Sequence, residues 1–438
     1  MKYIHLIHSM KMFDKTVGKE TFMGQTIIEK ILSKNLGRAV RAGDEALFEP
    51  DLTVAYDYPG YIDSYEKQMD ELGVTSVAHP DKFLFFIDHF NPAGDSKSRE
   101  VHVKTRSFAK RMGIQLWEDV GIGHQVIMEK GYVVPGTMLI HFDGHVSTLG
   151  SVGAGAISVR NAVIEALATG KVSIVVPGTL RVNFIGKLEK GVTARDVFHT
   201  LVQRLGPSGA CSLCLEFGGE GLKNLTMDDR ITLCNQAMFL SAVTAVCEQD
   251  DVTDAFLSGT GCKEYTHVTP DSDAHYAKEY TLDLATVAPV LVAPPSSANT
   301  VSISDFEGMK IDAGYVGSCA SGRISDFRQV LEVLEGKHIA NGTRLYAVPA
   351  SVKLQKEIAG NGMMGKLIDA GACVYYPSCD FCYGKLGTLT PGEVALSTGT
   401  LNIPGRMGCT KADIYTASPY TIAASLLNGK ITDPRKVL

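Results

Sequence analysis

The chain has 438 residues, 45% hydrophobic and 21% charged; this excludes a disordered chain, and a core of this size needs no disulfide staples. Its 42 basic against 48 acidic residues give a formal charge of −6. With the acids scattered, broad binding to nucleic acid or anionic membrane is excluded as the main task.

Length predicts roughly three domains, and no run approaches the roughly 18 apolar residues of a membrane helix. The N-terminal 15 residues lack a continuous apolar stretch and a small-residue cleavage site, so a cytoplasmic protein with reduced thiols is expected. Strand candidates at 172–176 and 180–185 lead to a helix. Thr193 to Asp196 cap it, Val197, Leu201, Val202 and Leu205 form its apolar stripe, and Gly206 closes it. The proline-bearing stretch 287–297 reads as an ordered connector. The clearest unit starts near Lys310: a buried strand at 311–316, a glycine-rich loop at 317–323 holding Cys319, then a helix. Ser325 is the candidate N-cap, Phe327, Val330, Leu331 and Leu334 the stripe, and Gly336 the stop. The plan repeats: a strand at 344–348, a long helical stretch opened by Ser351, a strand at 373–376, and directly after it Cys379 and Cys382. The alternation predicts α/β architecture, divided into α/β domains at 1–176, 177–265 and 266–438.

Ten cysteines include two CxxC pairs, Cys211/Cys214 and Cys379/Cys382. Such a pair is half a zinc site, a redox pair or two core thiols, and no histidine or cysteine follows either at zinc-finger spacing. The loops of Cys319 and of Cys379/Cys382 both follow carboxyl ends of strands, the sheet edge where ligands bind, so they can face one crevice. Three thiolates from two loops can hold three irons of a [4Fe–4S] cluster and leave the fourth open as a Lewis acid. The other seven, Cys211, Cys214, Cys234, Cys247, Cys262, Cys373 and Cys409, are expected to be ordinary buried thiols.

Gly317-Ser318-Cys319 with Gly322-Arg323, Cys379-x-x-Cys382, Pro391-Gly392-Glu393, Ser397-Thr398 and Gly405-Arg406 with Gly408 resemble the cluster domain of the aconitase superfamily. The resemblance covers nearly the whole chain. Ile87-Asp88-His89, Gly121-Ile122-Gly123-His124-Gln125, Phe142-Asp143-Gly144-His145, the glycine-rich stretch 150–155 and Leu233-Cys234-Asn235 follow in the family's order. It implies three α/β/α domains around a central [4Fe–4S] cluster held by Cys319, Cys379 and Cys382. The sequence stops where a swivelling fourth domain would begin. It therefore resembles the large subunit of a two-chain member of the 3-isopropylmalate dehydratase or homoaconitase type, with a small swivelling-domain subunit as partner. The implied reaction is reversible dehydration of a 2-hydroxy carboxylic acid, extended to isomerisation through the alkene. In this reading Asp88 orients His89, Asp143 orients His145, and His124 shares their proton network. Arg406 clamps a substrate carboxylate, Asn235 and Ser318 lie at the cluster, and Arg323 braces the Cys319 loop. The alternative makes the aspartates helix caps, the histidines core residues and Arg406 a surface arginine.

The departures from the family pattern fall at substrate positions. Gly144 replaces a serine, Thr400 an asparagine, Leu401 an arginine and Phe239 a glutamate, and Ala320-Ser321 stand for Thr-Asn. One reading is a changed substrate, with fewer carboxylates or a hydrocarbon arm. The other is a non-catalytic iron–sulfur sensor or RNA-binding relative; a sensor needs no Asp-His pairs, and the sequence has no basic stripe with interleaved aromatics. A zinc protein using Cys379 and Cys382 is the third.

Overall fold

The computed structural model describes residues 24–57, 61–262 and 264–438; the N-terminal 15 residues read above for a leader lie outside them. Among the described residues no helix is long and apolar enough to cross a membrane.

Three larger sheets and one two-stranded ribbon organise the described residues. The first sheet is all-parallel, in the order Gln115–Glu118, Phe83–Ile87, Leu52–Tyr56, Met138–His141, Gly155–Ser158. Phe83–Ile87 is buried at every position, the unbroken apolar run that a parallel strand covered on both faces requires. The second, also parallel, runs Thr244–Cys247, Leu213–Gly218, Gly178–Ile185, Lys278–Asp283. The third has seven strands. Asp413–Thr416, Val394–Ser397, Ala313–Val316, Arg344–Ala347 and Ala372–Val374 are parallel, and Val290–Val292 and Thr300–Ser302 extend one edge antiparallel. Its core lies between the sheet and helices that include Ile324–Leu334 and Pro419–Asn428.

Several local expectations are corrected. Val172–Val175 does not lead into the second sheet but turns back to pair with Glu45–Phe48. The second sheet takes in Lys278–Asp283, and the first strand of the third sheet along the chain is Val290–Val292. The connector at 287–297 contributes the strand Val290–Val292. The helix after the Cys319 loop is capped by Arg323, whose backbone N–H donates to Asp326 at 2.9 Å, while the Ser325 hydroxyl donates to Asp228 instead. The helix after Ser351 is two helices, Val352–Gly360 and Met363–Asp369. Gly362 between them has a left-handed φ of +82°, which continuing helix does not allow. The helix Ala194–Leu205 forms as expected, with a Thr193/Asp196 capping box and Gly206 at its end.

Candidate active site

Parallel strands deliver the polar residues to one edge, because each loop starts where its strand's carboxyl end releases the chain. Asp57 follows Leu52–Tyr56, Asp88-His89 follows Phe83–Ile87, and Asp143 comes two residues after Met138–His141. Cys319 comes three residues after Ala313–Val316, Thr400 three after Val394–Ser397, and Cys379 five after Ala372–Val374. One cavity, with about 380 Å³ of empty space, receives them: Cys319, Cys379 and Cys382 line it together with Asp88, His89, His124, Asp143, His145, Ser318 and Arg406. Ten of the twelve expected site residues thus share one space, and Asn235 and Arg323 stand just behind it.

Both Asp-His pairs form. Asp88 Oδ1 is 2.7 Å from His89 Nδ1, and its Oδ2 accepts the Gly123 N–H at 2.8 Å. Asp143 Oδ1 accepts the His145 backbone N–H at 2.6 Å and lies 2.8 Å from His145 Nδ1. Burial opposes charge on His89, yet the carboxylates of Asp88 and Asp57 outweigh it and hold the imidazole well above its ordinary value. Burial likewise works to raise Asp143, but the His145 ring outweighs it and keeps the carboxyl well below the usual range. His124 is pushed down by burial, and its Nδ1 has no hydrogen-bond partner among the described residues. His145, which lines the cavity, likewise has a buried Nε2 with no partner among the described residues.

The sulfurs have their own donors. Asn235 Nδ2 approaches Cys319 Sγ at 3.3 Å and is held by the Thr148 hydroxyl at 2.8 Å. Arg406 Nη2 approaches Cys382 Sγ at 3.5 Å, with its guanidinium over the Tyr383 ring at 5.6 Å. Burial pushes the Cys319 thiol up to about 12 and Cys379 well above its ordinary value. At Cys382 burial opposes ionisation too, but Arg406 prevails and lowers the thiol. Arg323 donates from Nη2 to the Cys319 carbonyl at 2.7 Å and from Nε to Gln125 at 3.2 Å, so it braces the loop as expected. Ser318, at a left-handed φ of +82°, donates its hydroxyl to the Thr398 carbonyl at 3.2 Å and accepts the Ala320 N–H at 3.2 Å. That turn sets the direction in which Cys319 leaves the loop.

The model of the aconitase family (aconitate hydratase) matches residues 74–308 and 304–429. The 3-isopropylmalate dehydratase large subunit 1 of Methanopyrus kandleri is 37% identical over 420 residues, covering 95% of this chain and all of that protein. The chain belongs to the aconitase family. The corresponding large subunits of Nitratiruptor sp. and Archaeoglobus fulgidus are 36% and 37% identical, again over 95% of this chain and their own full length. Among solved structures, aconitase X of Thermococcus kodakaraensis (holo form) aligns over 85% of this chain and 89% of that one, at 11% identity and a TM-score of 0.49.

Within this aconitase-family chain the substituted positions divide. Thr400 lines the cavity, its hydroxyl 3.7 Å from Cys382 Sγ. A Cβ on Gly144 would meet Met238 Sδ at an ordinary 3.5 Å, so space for a side chain exists there. Phe239 and Leu401 pack with the core around the second sheet, Phe239 stacking on His199 at 6.0 Å. Neither is among the residues that line the cavity. Ala320 and Ser321 are buried in the brace of the Cys319 loop. Of the seven remaining cysteines, Cys214, Cys234 and Cys247 are buried, whereas Cys211 and Cys373 are exposed and Cys262 and Cys409 half-buried, a correction to their expected burial.

Sequence reasoning missed four polar residues here. Asp57 is fully buried, with Oδ1 accepting the N–H groups of Asp88 and His89, each at 3.2 Å. Its Oδ2 is 3.3 Å from His102 Nε2, which also meets the His89 carbonyl at 2.9 Å. Asp380, inside the CxxC turn, accepts the N–H groups of Phe90 at 2.7 Å and Asn91 at 2.8 Å. It ties that turn to the Asp88-His89 loop. His141 accepts the Asp143 N–H on Nδ1 at 2.7 Å and is driven by burial to about 3. For Asp57 the signal was present: an aspartate directly after an apolar strand, as at Asp88.

Proposed function

We propose that this chain is the large subunit of a two-chain iron–sulfur hydro-lyase that reversibly dehydrates a 2-hydroxy carboxylic acid of the 3-isopropylmalate type, with isomerisation when water returns to the adjacent carbon. Its aconitase-family membership and full-length likeness to dehydratase large subunits support an enzyme and give no support to the sensor or RNA-binding alternative. The observation that carries it is the single cavity lined by three cysteines, two Asp-His pairs and Arg406.

The residues present fit a [4Fe–4S] cluster. Among the described residues, the one group of three His, Cys, Asp or Glu donors with ligand atoms mutually within 4.8 Å is Asp88, His89 and Cys379. The three thiols therefore do not crowd around a single ion, which suits ligands to separate irons better than zinc. Asn235 and Arg406 aim N–H groups at two of the sulfurs, as outer partners of thiolate ligands do. Cys319 and Cys379 are poor acids alone, so coordination would supply the charge that ionises them, while Arg406 already favours the Cys382 thiolate. Cys319, Cys379 and Cys382 would hold the cluster. When bound, it supplies a Lewis-acidic iron that polarises the substrate hydroxyl.

The chain's own groups then divide the work. With His145 Nδ1 donating to Asp143, Nε2 is free to exchange a proton with the departing hydroxyl, and Asp143 stabilises the imidazolium. Asp88 and Asp57 fix His89, and His124 stays neutral beside them. Arg406 offers a guanidinium fork to a substrate carboxylate. Hydroxide leaves more easily when protonated, and the developing carbanion is stabilised by the carboxylate next to it. The base for the α-proton is assigned to a small swivelling-domain subunit, which also brings further arginines. A cytoplasmic setting suits reduced thiols. The chain is taken as three α/β units, divided near residue 176 and between residues 283 and 290.

Anaerobic reconstitution tests the reading. The expected product is brown and holds about four irons per chain, and with the small subunit it converts the hydroxy acid to an absorbing alkene. Zinc in place of iron, or no turnover across a panel of 2-hydroxy acids, would overturn it.

A further inference from the structure

We infer that Tyr56 is a positioning residue of this site, holding Asp143 so that His145 keeps its ring aimed into the cavity. The inference rests on the reading of Asp143 and His145 as the proton-carrying pair. Tyr56 ends the strand Leu52–Tyr56, where it pairs with Phe86, and residues 52–54 of the same strand pair with Met138–His141 on the other side, so its backbone is held in the sheet. The phenol donates to Asp143 Oδ2 at 2.5 Å. The other carboxylate oxygen, Oδ1, serves His145 through its backbone N–H at 2.6 Å and faces Nδ1 at 2.8 Å. Each oxygen thus has its own partner, and the carboxylate plane is set from both ends. Without the phenol, Oδ2 is a buried acceptor missing its donor, and the carboxylate can rotate about Cβ–Cγ and carry the imidazole with it.

The ring has a second task. Its centroid lies 4.9 Å from those of His89 and His141, and it meets His124 edge-on at 6.3 Å. It therefore stands between the two Asp-His pairs as an apolar spacer, while its hydroxyl reaches one of them. Only a residue with an aromatic body and a polar tip does both. Tyr56 lines the cavity itself, 7% exposed.

The test uses the cluster-loaded protein complemented with its small subunit. Tyr56→Phe keeps the ring and removes the donor. Its kcat is expected to fall about 10- to 100-fold, the rate equivalent of one hydrogen bond to a charged group, with KM within about 3-fold and iron content unchanged. In an Asp143→Asn background the same change is expected to alter kcat by less than about 2-fold, because both act through one carboxylate. Wild-type kcat in Y56F, an equal fall in both backgrounds, or loss of iron would overturn the inference. His145→Asn separates the two layers. An inactive H145N beside a fully active Y56F sinks only the role of Tyr56, whereas a fully active H145N sinks the reading of the pair.

Discussion

Arg406 meets two demands at once: its guanidinium lies 3.5 Å from Cys382 Sγ, and it lines the cavity where a substrate carboxylate would enter. Its Nε is buried without a partner among the described residues, so part of the fork is uncommitted there. Arg406→Gln keeps hydrogen-bonding capacity and removes charge. It is expected to raise KM about 100-fold, the cost of a lost charged partner in a buried pocket, with a smaller effect on kcat; steady-state kinetics of the two-subunit enzyme check it. His199 shows the opposite problem, a fully buried ring pushed down to about 3 by burial and by neighbouring Arg195. The unfolded chain binds a proton there below about 6.5 while the folded one does not. Its contribution to stability is therefore present above about pH 6.5 and is lost as pH falls toward 3. His199→Leu removes that loss, so the melting temperature should fall less between pH 7 and pH 5 than in the unsubstituted protein.

At the scale of an element, the CxxC turn is short, the helix Asp380–Tyr383 spanning four residues, and cannot hold its own direction. Asp380 supplies the hold: Phe90 and Asn91 donate to it from the Asp88-His89 loop, the Ser378 hydroxyl donates at 2.7 Å, and the Cys379 N–H reaches the Asp88 carbonyl at 2.9 Å. Sulfur position is thus set by an acid that never touches the cavity's contents. Asp380→Ala leaves buried N–H groups unsatisfied at about 1–3 kcal/mol each. The expected result is iron lost on gel filtration from a protein with unchanged far-UV circular dichroism. Iron retained at the unsubstituted level would show that the turn holds its shape without this acid.

Across the whole molecule, the first and third sheets meet at the site through backbone bonds as well as through side chains such as Asp380 and Arg323. Ile122 donates to the Ala350 carbonyl at 2.9 Å and Val352 to the Val120 carbonyl at 3.0 Å. Gly121 makes that approach possible. Its φ is +109°, and a Cβ there would lie 2.5 Å from Ser351 Cα and 2.7 Å from the Ala350 oxygen. Gly121→Ala should part the two sheets at this seam, displacing His124 relative to Cys319. Activity and iron binding are expected to fall together, while urea unfolding shows each core still melting cooperatively.

The residue pattern alone determined the α/β class and the cysteine loops at strand ends, because each depends on local periodicity and on neighbours in sequence, whereas the Asp-His pairs were legible through the family resemblance. The capped helix Ala194–Leu205 was legible for the same reason, its Thr193 and Asp196 being three residues apart. Tertiary structure decided what depends on distant partners. Residue 172 pairs with residue 48, the strand Lys278–Asp283 joins the second sheet, and Phe239 turns to His199 rather than the cavity. It also decided which polar groups reinforce the site. Tyr56 reaches Asp143 across 87 residues and Asp380 reaches Phe90 across 290, and a hydrogen bond between such positions leaves no periodic trace in the chain that makes it.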